Sequence, residues 1–316
     1  MRGMDINLEA FWDYYLRTST LSQHDTRYRV ITKTHRDVIE VVKLLKAGAT
    51  RLDIKQRLRD KLKCKNNDEE DVLENSIDLA ASLLVMCDCG VSYGCSRNTT
   101  IHWEHNSLKE FLTKLFAAKP ILAAERTKFE KSFKAVNLSR IAALEVVWTD
   151  NLVDHLRLTD DDTKVHIFHH ASFLETQRWS SQSLLPANLV AETIQTLALL
   201  FPSADRETRK WASKLPFVDL RVYQCGRLKA DLRQIENFQI WRDRLVILKQ
   251  IYDEAQPKTL RQWWHDRRNG MQWYMFWFAV LVLILTVFFG LVQGVEGALQ
   301  VYASLEALSG HPNAGR

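Results

Sequence analysis

Glycine and proline are both scarce in this chain, at 11 and 6 of 316 residues. Collagen-like, linker-rich and turn-rich all-β proteins need far more of these residues, so those classes are excluded. Cysteine is sparse as well, and its odd count of 5 argues against a disulfide framework and for a reducing compartment. The mean hydropathy of −0.23 excludes a polytopic transporter. What remains is a globular chain that favours helix.

Several signatures of catalysis are missing too. The sequence has no phosphate-binding Walker loop, no HExxH zinc motif and no protein-kinase set. It has no internal repeat, and its first 30 residues lack the apolar run of a secretion signal. We therefore expect no enzymatic activity and no cofactor.

One apolar run decides the broad class. Residues 271–295 contain no Asp, Glu, Lys or Arg. At about 1.5 Å per residue they reach about 37 Å, more than the roughly 30 Å of a hydrocarbon core. Core helices of soluble proteins rarely run so long without a polar face, so the run predicts a transmembrane helix. Its defining residues are Trp273, Trp277, Leu281, Leu285, Phe289 and Val292.

Charges on either side of this run predict its orientation. The basic residues before it are Lys258, Arg261, Arg267 and Arg268, whereas Arg316 is the one base after it. Positive charge stays on the cytosolic side of membrane helices, so the body before the span is expected in the cytosol. We expect a tail-anchored topology in the endoplasmic reticulum or another intracellular membrane, with the C-terminus on the far side.

The predicted fold is mainly α, of α+β type, with a small β-containing central module. Periodicity and capping signals predict helices at 35–47, 51–62, 68–86, 107–116, 121–133, 186–201, 205–215 and 228–255, and strands at 143–148, 163–170 and 217–225. The predicted regions are a helical N-terminal part with a basic helix pair (1–125), an α+β module with a long amphipathic helix (126–256), a basic stub (257–270), the span (271–295) and a far-side tail (296–316).

The N-terminal part separates its charges. Residues 27–65 hold 13 Lys or Arg and 4 acids, and residues 68–78 hold 6 acids and no base. The basic face comprises Lys43, Lys46, Arg51, Lys55, Arg57 and Arg59. A solvated face paired with the acidic helix is the favoured interpretation, followed by attraction to anionic lipid at about 1 kcal/mol per base. A winged-helix-like nucleic-acid reader is the sharper alternative.

The central module carries a distinctive motif. Residues 148–158 read WTDNLVDHLRL, and residues 160–170 read DDDTKVHIFHH. With Trp179 and the Gly-Leu-Val-Gln-Gly end of the apolar run, they resemble an uncharacterised family of filamentous-fungal membrane proteins. The resemblance covers most of residues 10–303 and implies a membrane-anchored fungal protein with no catalytic residue to carry over.

Two groups of side chains are metal candidates. Cys87, Cys89, Cys95, His102 and His105 have soft ligands within 19 residues, but no standard zinc spacing. The second group is the central set of Asp150, Asp154, Asp160–Asp162, His155, His166, His169 and His170. Packed, hydrogen-bonded histidines and a solvated acidic turn are the favoured interpretations of this set.

Small residues recur every four positions near the end of the span, at Gly290, Gly294 and Ala298. They share one helix face, and two interpretations are open: glycine is simply frequent in membrane helices, or the face forms a weak homodimer. The leading hypothesis is a single-pass membrane protein whose cytosolic body binds a protein partner. The alternatives are a membrane-tethered, winged-helix-like regulator that binds nucleic acid and a metal-dependent enzyme using the His/Asp module. Under the leading hypothesis nucleic acid is not an expected partner.

Overall fold

The computed structural model describes residues 7–24, 30–32, 34–62, 69–90, 98–122, 127–213, 218–255, 262 and 270–309. The chain divides into two compact units, Met1–Gln256 and Pro257–Arg316, each described here by itself. The fold is mainly α with one small sheet, which confirms the predicted class.

Helices make up most of the first unit. In chain order they are α1 (Glu9–His24), α2 (His35–Lys46), α3 (Arg51–Leu62), α4 (Glu69–Val85), α5 (Leu108–Leu115), α6 (Ala135–Arg140), α7 (Ala171–Trp179), α8 (Ala187–Leu200), α9 (Arg206–Ala212) and α10 (Arg242–Glu254). Helices α1, α2 and α3 pack against α4, whose apolar residues join the same core as the sheet.

Local capping explains why α2 and α3 begin where the sequence predicts. Thr34 and Asp37 form a reciprocal capping box at the start of α2. Thr50 and Asp53 repeat the arrangement before α3, with the Asp53 carboxylate accepting from the Thr50 amide at 3.0 Å. Gly48 turns the chain between the two helices at a φ of +80°, a conformation that costs glycine little.

A buried arginine joins α3 to α4. Nη1 of Arg51 lies 2.6 Å from Oδ1 of Asp78 and donates to the carbonyl of Trp103 at 3.0 Å. Its guanidinium lies 5.3 Å from the centre of the Trp103 ring and also pairs with Glu74. Gly90 leaves room for this arrangement, because a Cβ there would lie 2.1 Å from Oδ2 of Asp78.

The sheet has three strands, β1 (Glu145–Thr149), β2 (Leu158–Thr159) and β3 (Lys164–Phe168), in the order β1-β3-β2. Strands β1 and β3 are parallel, and β2 runs antiparallel to β3. The two longer strands fall where the sequence predicts them. Their parallel pairing brings the segments that follow Thr149 and Phe168 to the same edge of the sheet.

Three predicted elements are wrong within the described residues. The described residues of the predicted helix at 121–133, which are 121–122 and 127–133, are not helical, and Lys128 bridges to Gln234. The predicted long helix at 228–255 begins only at Arg242, after short 3-10 turns at Asp231–Arg233 and Ile235–Asn237. The predicted strand at 217–225 is a 3-10 helix, Leu220–Gln224.

Tertiary contacts explain the late start of α10. Phe129 and Phe238 meet edge to face, with ring centres 5.7 Å apart, and this pair holds the two extended segments together. The carboxylate of Glu192 then accepts from the amides of Ile240, at 2.9 Å, and Trp241, at 2.7 Å. An acidic side chain thereby satisfies amides that begin the helix, as an N-cap does.

The second unit contains one long helix, α11 (Gly270–Ser309). It continues beyond the predicted end of the span at Val295, because the following Ala, Leu and Glu residues are strong helix formers. The basic stub at 257–269 and the last residues, 310–316, lie outside the described part, apart from Gln262.

We predict that Arg51→Ala lowers the free energy of unfolding by about 3 kcal/mol, because it leaves the buried Asp78 carboxylate without its partner. Arg57→Ala is the matched control, since Arg57 is exposed and its loss is expected to cost less than about 0.5 kcal/mol. Urea unfolding of the full chain in detergent, followed by tryptophan fluorescence, measures both. Equal values for the two variants would contradict the buried pairing.

Candidate functional site

A carboxylate and two imidazoles converge where β1 and β3 end. Oδ1 of Asp150 lies 2.7 Å from Nε2 of His170 and 3.2 Å from Nε2 of His169. Its Oδ2 accepts from the Arg17 guanidinium of α1 at 2.7 Å. The two imidazole rings stack with centres 4.0 Å apart. We call Asp150, His169 and His170 the Asp–His–His cluster; through Arg17 it ties α1 to the sheet edge.

Opposing effects set the charges in the Asp–His–His cluster. Burial favours a raised pKa for Asp150, but hydrogen bonds from His169 and His170 outweigh it and hold that pKa well below its usual value. Burial also lowers the pKa of His170, whose buried Nδ1 has no hydrogen-bond partner among the described residues. The cluster at neutral pH therefore pairs a charged carboxylate with a neutral His170 imidazole.

The backbone fixes the tautomer of His169. The amide of Asp219 donates to Nδ1 of His169 at 3.3 Å, so Nδ1 carries the lone pair. The ring proton is then on Nε2, which faces Asp150. The Asp219 carboxylate is itself held by the amide of Ser172 at 2.6 Å and by its hydroxyl at 3.0 Å.

This tautomer bears on metal binding. The ligand atoms of Asp150, His169 and His170 all lie within 4.8 Å of one another, as in a metal site. A metal-bound imidazole, however, binds through a bare nitrogen and donates its other N–H to an acceptor. In His169 the other nitrogen faces a donor, and in His170 it faces no acceptor. The arrangement suits a hydrogen-bonded charge cluster better than a metal centre.

Asn151 and Asp154 join the central motif to the N-terminal region. The Asn151 amide group donates to the carbonyl of Thr99 at 2.7 Å, and its oxygen accepts from the amide of Asp88 at 3.2 Å. The Asp154 carboxylate is fully buried and accepts from the Thr99 amide at 3.1 Å. The guanidinium of Arg157 lies 3.1 Å from the same carboxylate. These side chains hold a segment distant in sequence against the module.

His155 is a separate, fully buried histidine. Its Nδ1 accepts from the amide of Phe168 at 3.2 Å, and its Nε2 lies 2.7 Å from the hydroxyl of Thr196 on α8. Burial, aided by the nearby Arg244, lowers the pKa of His155 to about 3. The ring is neutral at physiological pH and joins the sheet to α8.

The remaining acids and histidine of the central set lie apart from the Asp–His–His cluster. Asp160, Asp161 and Asp162 form a turn, each with a left-handed φ between 52° and 59°. Asp160 pairs with Lys164 at 3.0 Å. Nε2 of His166 lies 3.0 Å from the Thr159 hydroxyl.

The candidate zinc ligands, which the sequence does not favour as a metal site, are not brought together among the described residues. Cys87 and Cys89 are buried, and burial raises the pKa of both thiols. His102 and His105 are exposed, and Cys95 lies outside the described residues.

Residues 90–94 match GxSxG, which is the sequence motif of a serine nucleophile elbow. Such an elbow needs a strand before the serine and a helix directly after it. Helix α4 and a short turn precede Gly90, and the serine itself lies outside the described residues. The strand that a nucleophile elbow needs before its serine is therefore missing from the described residues that precede it.

The basic face splits into two parts. Arg51, Lys55 and Arg59 pair with carboxylates of α4, as in the favoured interpretation. Lys43 and Lys46 instead pair with no carboxylate of the described part, and with Lys109 they line a groove of about 410 Å³. Half of the predicted face is thus neutralised by its own chain.

The predicted span residues lie on α11, which exposes bulky apolar side chains along its length. Gly290, Gly294 and Ala298 lie on the same helix, and a Cβ added at either glycine would meet no described atom within 4 Å apart from the neighbouring residues and nearby backbone of the helix itself. The four basic residues that predict the orientation, Lys258, Arg261, Arg267 and Arg268, lie outside the described part.

The chain was compared with protein-family models, with curated proteins and with solved structures, and no match was found. The resemblance to fungal membrane proteins therefore stays a prediction.

Acidification is expected to unfold the protein partly through His155. The folded pKa of about 3 lies below the unfolded value of about 6.5, so between these values only the unfolded chain binds the proton. As the pH is lowered from about 6.5 to about 3, the free energy of unfolding therefore decreases. The contribution of His155 to this decrease is about 1.4 kcal/mol per pH unit.

Urea unfolding of the full chain at several pH values, compared with His155→Gln, measures this contribution. The variant is expected to be less stable at pH 7, because Thr196 and Phe168 lose their partner, but to have a shallower pH dependence. Parallel pH profiles for the two proteins would contradict a neutral, buried His155.

Proposed function

We propose that this protein is a single-pass membrane protein whose N-terminal body binds partners at the cytosolic face of an intracellular membrane. The observation that carries the proposal is the candidate span at Trp273–Glu306, 34 residues long. At about 1.5 Å per residue it reaches about 50 Å, which exceeds a hydrocarbon core of about 30 Å. The span's exposed apolar surface supports a lipid environment, because water would solvate it poorly.

Flanking charge supports the proposed orientation. Lys258, Arg261, Arg267 and Arg268 precede the span, whereas the charged residues in its second half are the acids Glu296 and Glu306. The body is then cytosolic, which agrees with the free thiols of Cys87 and Cys89. The self-association proposed for Gly290, Gly294 and Ala298 is a weak parallel homodimer through α11.

A binding role fits the first unit better than the two alternatives. The Asp–His–His cluster is occupied by its own hydrogen bonds, and His169 presents a protonated nitrogen to Asp150, which disfavours a metal-dependent enzyme. A nucleic-acid reader loses Arg51, Lys55 and Arg59 to α4 carboxylates. Binding of duplex DNA that weakens steeply above about 50 mM salt would restore that alternative.

Glycosylation mapping tests the topology. An acceptor site appended after Arg316 is expected to be modified, whereas one inserted between Asn66 and Asn67 is not, because only the far side of the membrane has the transferase. The native acceptor at Asn98-Thr-Thr is expected to stay unmodified. Mobility on gels with and without glycosidase measures each case.

Asn98→Gln serves as the control for the native acceptor. A body-side glycan, with none on the appended site, would overturn the orientation. Release of the full chain from membranes by alkaline carbonate would overturn the anchor itself.

A further inference from the structure

An open groove of about 790 Å³ lies on the first unit, away from the Asp–His–His cluster residues. Its walls come from the segment before α6, the end of α8, the loop that follows α8 and the segment around Lys229. Its volume is within the range of about 300–1,000 Å³ typical of small-molecule sites.

Positive charge dominates the lining of the groove. Five basic side chains line it, against the carboxylates of Glu130 and Asp205; they are Lys131, Lys134, Arg227, Lys229 and Arg233. Asp205 is already engaged by Lys134, at 2.7 Å, and Glu130 accepts from the hydroxyl of Ser132.

The excess charge is available to a ligand. Lys131, Arg227 and Lys229 pair with no carboxylate in the described part of the chain. The guanidinium of Arg233 donates to the carbonyl of Phe129 at 3.1 Å, while its buried Nε has no hydrogen-bond partner in the part of the chain that the structure describes. Cations left unpaired in a concave site favour an anion, and Arg and Lys are the side chains with which proteins commonly bind phosphate.

The rest of the lining is apolar. Phe133 and Leu199 are almost fully buried, and Pro202 and Leu228 complete this surface. Hydrogen bonds hold the walls: the amide of Phe129 donates to the carbonyl of Arg233 at 2.8 Å, and the amide of Ser203 donates to that of Gly226 at 3.0 Å. An apolar surface beside a cationic rim suits a ligand that has both an apolar part and an anionic group.

We propose that this groove binds a phosphorylated amphiphile, with the phosphate on Arg227 and Lys229 and the apolar part against Phe133, Leu199 and Leu228. The phosphate can belong to a membrane lipid or to a soluble acyl or alkyl phosphate, which share this chemistry. The proposal deepens the binding role of the body. It does not depend on the topology, because the groove lies within the first unit.

A second basic groove provides a matched control. The groove lined by Lys43, Lys46 and Lys109 has unpaired lysines, and its only apolar lining residues are Ala47 and Leu184. Arg227→Gln/Lys229→Gln and Lys43→Gln/Lys46→Gln each remove two exposed, unpaired cations. Both double variants change the net charge equally, so general electrostatic attraction affects them alike.

Native mass spectrometry of the full chain from neutral detergent measures binding. The probes are dioctanoyl phosphatidate, dodecyl phosphate, dioctanoyl phosphatidylcholine and glycerol 3-phosphate. Binding of lipid to α11 is the same in all three proteins and cancels in the comparison. Circular dichroism and thermal melting check that both variants fold.

We expect phosphatidate or dodecyl phosphate to bind the wild type, and Arg227→Gln/Lys229→Gln to weaken this binding at least tenfold, or about 1.4 kcal/mol. Lys43→Gln/Lys46→Gln is expected to stay within twofold of the wild type. Preference for phosphatidate identifies a membrane lipid as the source, and preference for dodecyl phosphate identifies a soluble one.

Three results would overturn the proposal. The first is an equal loss of phosphatidate binding in both double variants. The second is binding of glycerol 3-phosphate to the wild type as tightly as phosphatidate. The third is binding of phosphatidylcholine as tightly as phosphatidate. None of them affects the glycosylation pattern, so failure of this proposal and failure of the proposed topology are distinguishable.

Discussion

The first unit depends on the need to compensate a largely buried carboxylate, Asp150. An ionised group removed from water costs several kcal/mol unless charge and hydrogen bonds replace its hydration. Three side chains supply them to Asp150: Arg17 on α1, and His169 and His170 after β3. Satisfying this one side chain therefore requires α1, β1 and the start of α7 to be in place together.

Neighbouring residues of the motif extend the same logic. Asn151 and Asp154 satisfy the backbone of Thr99, and His155 satisfies the amide of Phe168 and the hydroxyl of Thr196. Acids and histidines of the type found in catalytic sites thus form hydrogen bonds that hold this fold together. The cations available for binding are found elsewhere, in surface grooves where the chain supplies too few carboxylates to neutralise them.

Local signals allowed much of the fold to be predicted. The caps at Thr34 and Thr50 fix helix starts within a few residues, and the apolar pattern around β1 and β3 fixes the strands. The late start of α10 could not be predicted, because it is determined by Glu192, about 50 positions away in the chain.

The candidate site shows the same division between local and long-range information. The sequence places Asp150 and the two histidines in one module, since they follow neighbouring strands. It gives no signal for Arg17 or Asp219, which reach the cluster from 133 and 50 positions away. The sequence also could not predict which lysines and arginines lack a carboxylate partner, because only the structure shows which basic residues pair with α4.

Nitrogen NMR of the histidine side chains in the full chain tests whether the Asp–His–His cluster is held by its own hydrogen bonds. The account predicts that His169 is neutral, with its proton on Nε2, and that adding Zn²⁺ leaves its signals unchanged. A proton on Nδ1 of His169, or loss of its Nε2 proton on adding stoichiometric Zn²⁺, would contradict the account. The first result would leave Nε2 of His169 free to bind a metal, and the second would show that the cluster binds one.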